Sequence, residues 1–218
     1  MSDLTIFFLT VNKVPDAWAE YHRKVLLEAV GDSPIIIFSK KKMRWGVENI
    51  IQEDEPSMIN IYRQILKGAK LAKTPYFAIA EDDTLYHKDH FSLRPPMDSF
   101  GYDMHRWGLF TWGKPTYYYK DRISNAALIA PRELAIETLT ERFAKYPNSN
   151  IGELGKEGGT RLNVKKIIKL WADTGLVYFS HVNSLDPTEQ HKSKKMGVVQ
   201  AFDIPYWKRA EDLRKHFI

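Results

Sequence analysis

The sequence predicts an α/β fold, a mostly parallel sheet flanked by helices, and three observations carry that expectation. Over the first 86 residues, short runs rich in β-branched and aromatic residues alternate with stretches whose apolar positions recur every three or four residues. Residues suited to start or stop helices, Asp16, Gly31 and Ser57, fall between those runs. One run, Tyr76-Phe77-Ala78-Ile79-Ala80, passes straight into Glu81-Asp82-Asp83 with no turn residue in between. A buried strand ending in acids delivers negative charge to the sheet rim where open α/β sheets bind ligands.

Taken in order, Leu4–Leu9 reads as the first strand and Thr10-Val11-Asn12-Lys13-Val14-Pro15 as the loop that closes it. Asp16 is placed to cap a helix carrying Trp18, Tyr21, Val25, Leu26 and Ala29, which Gly31 stops. Pro34–Phe38 is a second buried strand, followed by the basic loop Ser39–Arg44, and Asn49-Ile50-Ile51 a short third one. Glu55-Pro56-Ser57 opens a helix with Met58, Ile59, Tyr62, Ile65, Leu66 and Ala69 on one face. Beyond Phe91 the texture changes. Arg94-Pro95-Pro96-Met97 is a loop, Trp107–Trp112 a strand, Gly113-Lys114-Pro115 a turn before Tyr117-Tyr118-Tyr119, and Ala126–Ala130 another strand. Pro131 suits the first turn of a helix reaching about Tyr146. Asn148–Gly159 reads as a loop, Arg161–Asp173 as a helix, Leu176–Phe179 as the last strand, and a C-terminal helix is expected from about Pro205.

Composition narrows the classes. The 218 residues suit a single domain, and a 44% hydrophobic share excludes global disorder. With no cysteine, a disulfide framework, a zinc ribbon and a thiol nucleophile are all excluded. The apolar start is short and lacks a basic flank, and no later run approaches membrane-spanning length. A soluble cytoplasmic protein without stable membrane insertion is expected. The net charge is +5, with basic clusters at Lys40–Lys42, Lys165-Lys166, Lys192 with Lys194-Lys195, and Lys208-Arg209. Each alone reads as a solvated face; together they leave room for a polyanionic partner.

Three adjacent carboxylates repel one another and call for a cation or a hydrogen-bonding frame. A divalent metal on a sugar-nucleotide diphosphate answers that need, since Mn²⁺ and Mg²⁺ take carboxylate and water ligands. Strand alternation puts Glu81 and Asp83 on one side as ligands and turns Asp82 away, toward a ribose or a water. The alternative is a solvated turn or an ion pair with Lys88.

The alternation, the acidic triplet and the loop Leu9–Pro15 together resemble the GT-A glycosyltransferases, whose nucleotide-binding half ends a strand in a DXD-like motif. The resemblance covers the first half by motif and the second by topology only. It implies a GT-A (Rossmann-like) mixed sheet in one domain, with 1–90 as the nucleotide-sugar-binding half and 91–218 as the acceptor half. It also implies a UDP-sugar donor and a later histidine as a further metal ligand, either His181 after the last strand or His191. Thr10, Asn12, Lys40, Asp82 and Lys192 are then candidate nucleotide contacts, with Lys194 and Lys195 beside the last. Glu153 (or Glu157) and Asp121 are candidate general bases for an inverting transfer. Trp112 is the better placed aromatic for stacking, and Trp107 reads as core.

Small size, basic charge and aromatics also look like the phage and base J-type glucosyltransferases that modify hydroxymethylated bases in DNA. That implies transfer from UDP-glucose to a hydroxymethylated pyrimidine in DNA, in the host cytoplasm if phage-encoded. The alternatives are a surface saccharide or lipid acceptor, for which Tyr206, Trp207, Leu213 and Phe217 leave an interfacial segment open, and a non-catalytic nucleic-acid-binding domain. A sugar nucleotidyltransferase fits less well, because Thr10–Pro15 contains no glycine.

Overall fold

The computed structural model describes residues 2–148, 153–155, 166–181 and 199–218. The first strand, β1 (Leu4–Leu9), is buried throughout and leads into α1 (Asp16–Val30). Then come β2 (Ile35–Ser39), β3 (Glu48–Ile51), α2 (Met58–Leu71) and β4 (Tyr76–Glu81), the alternation that the apolar pattern predicts. Ser57 caps α2 by accepting a hydrogen bond from the Asn60 backbone. Asp16 makes no cap bond. It is the first helical residue after Pro15, where its charge meets the positive end of the helix dipole.

β1 pairs in parallel with both β2 and β4, and β2 with β3. Four strands therefore end at the same edge. The chain leaves β1 toward β2 and β3 on one side and returns as β4 on the other, so a topological switch point lies between β1 and β4.

The second half adds β5 (Thr84–Leu85), α3 (Lys88–Ser92), β6 (Ser99–Asp103), β7 (Arg106–Phe110), β8 (Tyr117–Tyr119), β9 (Leu128–Pro131) and α4 (Arg132–Lys145). It closes with β10 (Lys166–Leu170), β11 (Leu176–Ser180), β12 (Gln200–Ala201), β13 (Asp203–Ile204), β14 (Lys208–Arg209) and α5 (Ala210–Arg214). The main sheet runs β10-β6-β9-β4-β1-β2-β3 and is mixed, because β9 lies antiparallel between β6 and β4. The expected single α/β domain, a mixed Rossmann-like sheet flanked by helices, is thus the one observed. A second sheet, β12-β8-β7-β11-β5, was not legible in the sequence.

Strand alternation divides the core. Phe7, Leu9, Phe77 and Ile79 pack toward α2 and α4, whereas Leu4, Ile6, Phe8, Ala78 and Ala80 pack toward Leu26 and Val30 of α1. Phe7 and Phe77 stack at 4.6 Å across the β1–β4 pair. A third cluster joins α1 to the second sheet through Trp18, Val177 and Phe179 and draws in Trp207, Leu213 and Phe217.

Two expectations fail. Of the helix expected over Arg161–Asp173, residues 156–165 lie outside the described set, and Lys166–Leu170 is a strand paired in parallel with β6. Its apolar residues at 167, 168 and 170 suit either period, and pairing to the exposed edge of β6 decides for strand. From Pro205 the chain forms a hairpin, β13 to β14, with Tyr206 and Lys208 in left-handed backbone, before the short α5. Trp207, Leu213 and Phe217 are buried there, and Trp207 donates its indole N–H to the Gly175 carbonyl at 2.7 Å. Of the proposed interfacial residues only Tyr206 is exposed. No helix among the described residues is long and apolar enough to cross a membrane.

In the second sheet Gly108 faces Tyr178 across the β7–β11 pair, and a Cβ on Gly108 would stand 2.6 Å from the tyrosine oxygen. Overpacking of this kind costs about 1–3 kcal/mol. Gly108→Ala should lower the urea midpoint accordingly at constant m-value; an unchanged midpoint would show that the tyrosine ring does not rest on this glycine.

Candidate active-site cleft

The acids sit where the two sheets meet. β4 belongs to the main sheet and ends at Glu81; Asp82 and Asp83 form a turn; β5 then enters the second sheet, antiparallel to β11. The turn is gripped from several sides. Trp18 of α1 donates its indole N–H to the Asp82 carbonyl at 2.7 Å, and His22, one turn on, bonds the Thr84 carbonyl at 2.8 Å. Burial holds His22 far below the ordinary histidine range, at about 4, so it serves as a neutral strut. The Phe179 amide donates to the Asp83 carbonyl, and the Glu81 amide donates to the hydroxyl of the buried Tyr86.

Because the chain turns after Glu81, strand alternation does not apply to Asp82. Rather than facing away, it lines the same cleft as Glu81 and Asp83 and accepts a short hydrogen bond from the Thr10 hydroxyl. All three carboxyls are pushed up from their ordinary range, chiefly by burial and then, for Glu81 and Asp82, by the charge of their neighbours. Arg106, only 5% exposed, partly offsets this for Glu81 and Asp83. Its guanidinium lies over the Tyr178 ring and donates to the Arg122 carbonyl at 2.6 Å.

The cleft, of about 390 Å³, follows the carboxyl-terminal rim of the four parallel strands. Hydrogen bonds stitch that rim together from strand to strand. Asn12, in left-handed backbone with φ 54°, donates its own amide to Thr10 and accepts from the Lys40 and Lys41 amides with one side-chain oxygen. The Lys40 ammonium crosses to the Glu53 and Asp54 carbonyls, at 3.1 and 2.7 Å. Thr10, Lys40, Glu81, Asp82, Asp83 and His181 all border the cleft, and Asn12 ties the loop that carries Thr10 to the end of β2.

His181 follows β11 directly, and its ring nitrogen lies 3.8 Å from Asp83. Burial lowers its pKa, which favours the neutral imidazole that ligates metals. Among the described residues no three His, Asp or Glu side chains already converge as a metal cage. As a donor set, three closely spaced carboxyls and a neutral imidazole still match a hard divalent cation, and the raised acid pKa values mark a charge cluster without full compensation.

The remaining candidates separate from the cleft. Asp121 is exposed, with Lys169 3.9 Å away, and Glu153 lies near Tyr62; neither borders the cleft. Trp112 packs on Phe110 at 5.1 Å and is also outside it. Trp107 packs edge-on against Tyr119, as a structural residue should. Glu157, His191, Lys192, Lys194 and Lys195 lie outside the described residues.

Sequence reading missed Arg106, the struts Trp18 and His22, and a second wall made by α2. Ser57, Asn60, Ile61 and Gln64 border the cleft at three- and four-residue spacing, opposite the core-facing Tyr62, Ile65 and Ala69. That polar stripe was visible as helical periodicity, but nothing local said it faced the acids.

An α/β protein with an acidic cleft at a strand-end switch point is the class this fold and site define. No protein-family model matches the chain, and no curated protein sequence does. Among solved structures the backbone is similar to that of the bifunctional IspDF from Campylobacter jejuni, with TM-score 0.44 and 10% identity over 79% of this chain and 50% of that one. The chain therefore spans half the length of the Campylobacter protein. It is also similar to a glycosyltransferase involved in the glycosylation of the major capsid of PBCV-1, with TM-score 0.42 and 11% identity over 80% and 92% of the two chains. HddC from Yersinia pseudotuberculosis gives TM-score 0.47 and 11% identity over 84% and 96%. Likeness at this level says nothing of activity, and the functional reading rests on the site.

Two outcomes are expected. Asn12→Ala removes the acceptor for two amides and forces alanine into left-handed backbone, so it should cost about 1–3 kcal/mol in denaturant melts, with Asn12→Gly losing less. The second concerns pH. Asp82 is raised from 3.8 to about 7, so it binds its proton more tightly folded than unfolded. Its contribution to stability is full below pH 4 and declines as pH rises toward 7. His22 titrates with the opposite sign, so the comparison is with Asp82→Asn. In chelator, the melting temperature of the variant should gain on that of the wild type between pH 4 and 7; parallel profiles would contradict the shift.

Proposed function

We propose that the protein is a metal-dependent glycosyltransferase that uses a nucleoside-diphosphate sugar. One observation carries the reading: three half-buried carboxyls and a neutral histidine share a cleft with a basic side chain, Lys40, at the switch point of a parallel sheet. Glu81, Asp83 and His181 are the residues that would hold Mn²⁺ or Mg²⁺, with Asp82 fixed beside them by Thr10. When bound, such a cation supplies neutralising charge for the departing diphosphate.

The chain's own residues then have distinct tasks. Trp18, His22 and Tyr86 hold the acidic turn by its backbone, so the carboxyls meet the donor without reorganising. Thr10 orients Asp82, and Asn12 keeps the loop after β1 against the end of β2. Transfer breaks the bond between the sugar's anomeric carbon and the diphosphate oxygen, forms one to an acceptor oxygen, and releases the acceptor's proton. Glucose from UDP-glucose is the proposed donor group. The basic excess of the chain favours a polyanionic acceptor, and a hydroxymethylated pyrimidine in DNA is the proposed one.

The test is turnover of UDP-glucose and other sugar nucleotides with Mn²⁺, with and without hydroxymethylated DNA or a saccharide acceptor. Asp83→Asn should lower turnover at least 100-fold while leaving the fold intact by circular dichroism. Full activity in Asp83→Asn, or no binding of any sugar nucleotide by the wild type, would falsify the transferase reading. Turnover with a saccharide and none with DNA would keep the class and discard the DNA acceptor.

A further inference from the structure

The two faces of the second sheet differ in chemistry. Trp107, Leu109, Tyr117, Val177 and Phe179 turn one way, into the apolar cluster shared with α1. The other face carries Arg106, Gly108, Tyr178 and, directly after β8, Lys120, whose amide donates to the Arg106 carbonyl at 2.9 Å. The Arg106 guanidinium donates in turn to the Arg122 carbonyl at 2.6 Å, and the Arg122 charge acts on both Arg106 and Lys120. Arg106 and Lys120 are each 5% exposed and Arg122 is exposed, so this positive charge runs inward from the surface. Burial and the charges of Arg122 and Arg106 bring the Lys120 ammonium down to about 8.

Like charges gathered out of water repel one another, and an oxyanion relieves them. The carboxyls whose charge reaches Arg106 are Glu81 and Asp83. Both are assigned above to a divalent cation, and with their charge spent on it they no longer balance Arg106. Among the described residues neither Arg106 nor Arg122 makes an ion pair. None of Arg106, Lys120 and Arg122 borders the cleft that holds the acids, so a diphosphate lying there does not meet them.

We infer that Arg106, Lys120 and Arg122 form a phosphate site beside the acids, which takes a backbone phosphate of the nucleic-acid acceptor. This rests on the transferase reading above and names the group by which the acceptor is held. A guanidinium fork takes two phosphate oxygens at once, and the ammonium adds a point charge. A free phosphate shares that chemistry, so the test separates the two sources.

The experiment measures binding to the wild type, Lys120→Met and Arg122→Gln. The probes are a single-stranded oligonucleotide bearing a hydroxymethylated pyrimidine, inorganic phosphate, and UDP with Mn²⁺. Arg122 is exposed, so its variant keeps the test open if Lys120→Met fails to fold. Each substitution should weaken the oligonucleotide about tenfold, lower the slope of log affinity against log salt by about 0.7, and leave UDP within about twofold. Unchanged oligonucleotide affinity overturns the site, and so does an equal loss for UDP, which would give the trio to the donor instead. Binding of inorganic phosphate with the same losses, but of no oligonucleotide, overturns the nucleic-acid phosphate and assigns the trio to a free one. The transferase reading is judged apart from these results: it stands as long as the wild type binds UDP and turns over a sugar nucleotide.

Discussion

Three adjacent carboxyls held partly out of water repel one another, and much of the molecule around them answers that repulsion. Neighbouring charge and burial act in the same direction, so the protonated forms gain, and the cluster remains in place because its backbone is tied down independently of its charge. Trp18 and His22 reach it from α1, Tyr86 from below and Phe179 from β11. None of these bonds involves a carboxyl oxygen. The side chains are therefore left to each other, to Thr10, Thr84 and His181, and to a ligand.

The same turn joins the two sheets, and that explains why so few residues can place a site. A strand that ends in one sheet and restarts in another must break its alternation, and Asp82 and Asp83 are the break. Released from the pleat, all three acids address one cleft. The second sheet then returns His181 to Asp83 from 98 residues further along the chain, because β11 pairs with β5. The rim opposite is built with equal economy. One asparagine in left-handed backbone and one lysine tie the ends of β1 and β2 to the segment after β3, and α2 lays a polar stripe along the cleft so formed.

The cleft is lined by side chains of unlike chemistry. Carboxyls and an imidazole form a donor set that matches a hard cation, and the neutral amides of Gln52, Asn60 and Gln64 border the same cleft. Arg106 belongs to neither wall, but its buried charge limits how far Glu81 and Asp83 are raised.

How much of this was legible varies with the range of the interaction responsible. Local pattern determined β1 to β4, α1 and α2, because buried parallel strands and amphipathic helices write their periods into the sequence. It determined the acidic triplet as a rim feature and Glu55-Pro56-Ser57 as a helix start. It misplaced Asp82 by extending the pleat one residue too far, and it read Lys166–Leu170 as helix because the choice lay with the edge of β6. Asp121 and Glu153, proposed as bases from their residue type, lie outside the lining of the cleft. What the tertiary structure alone decided was adjacency: His181 beside Asp83, Arg106 near Glu81, and the α2 amides along the acidic cleft. Those contacts come from sheet pairing and helix docking between segments far apart in sequence, and no local period encodes which distant partner a strand edge or a helix face will meet.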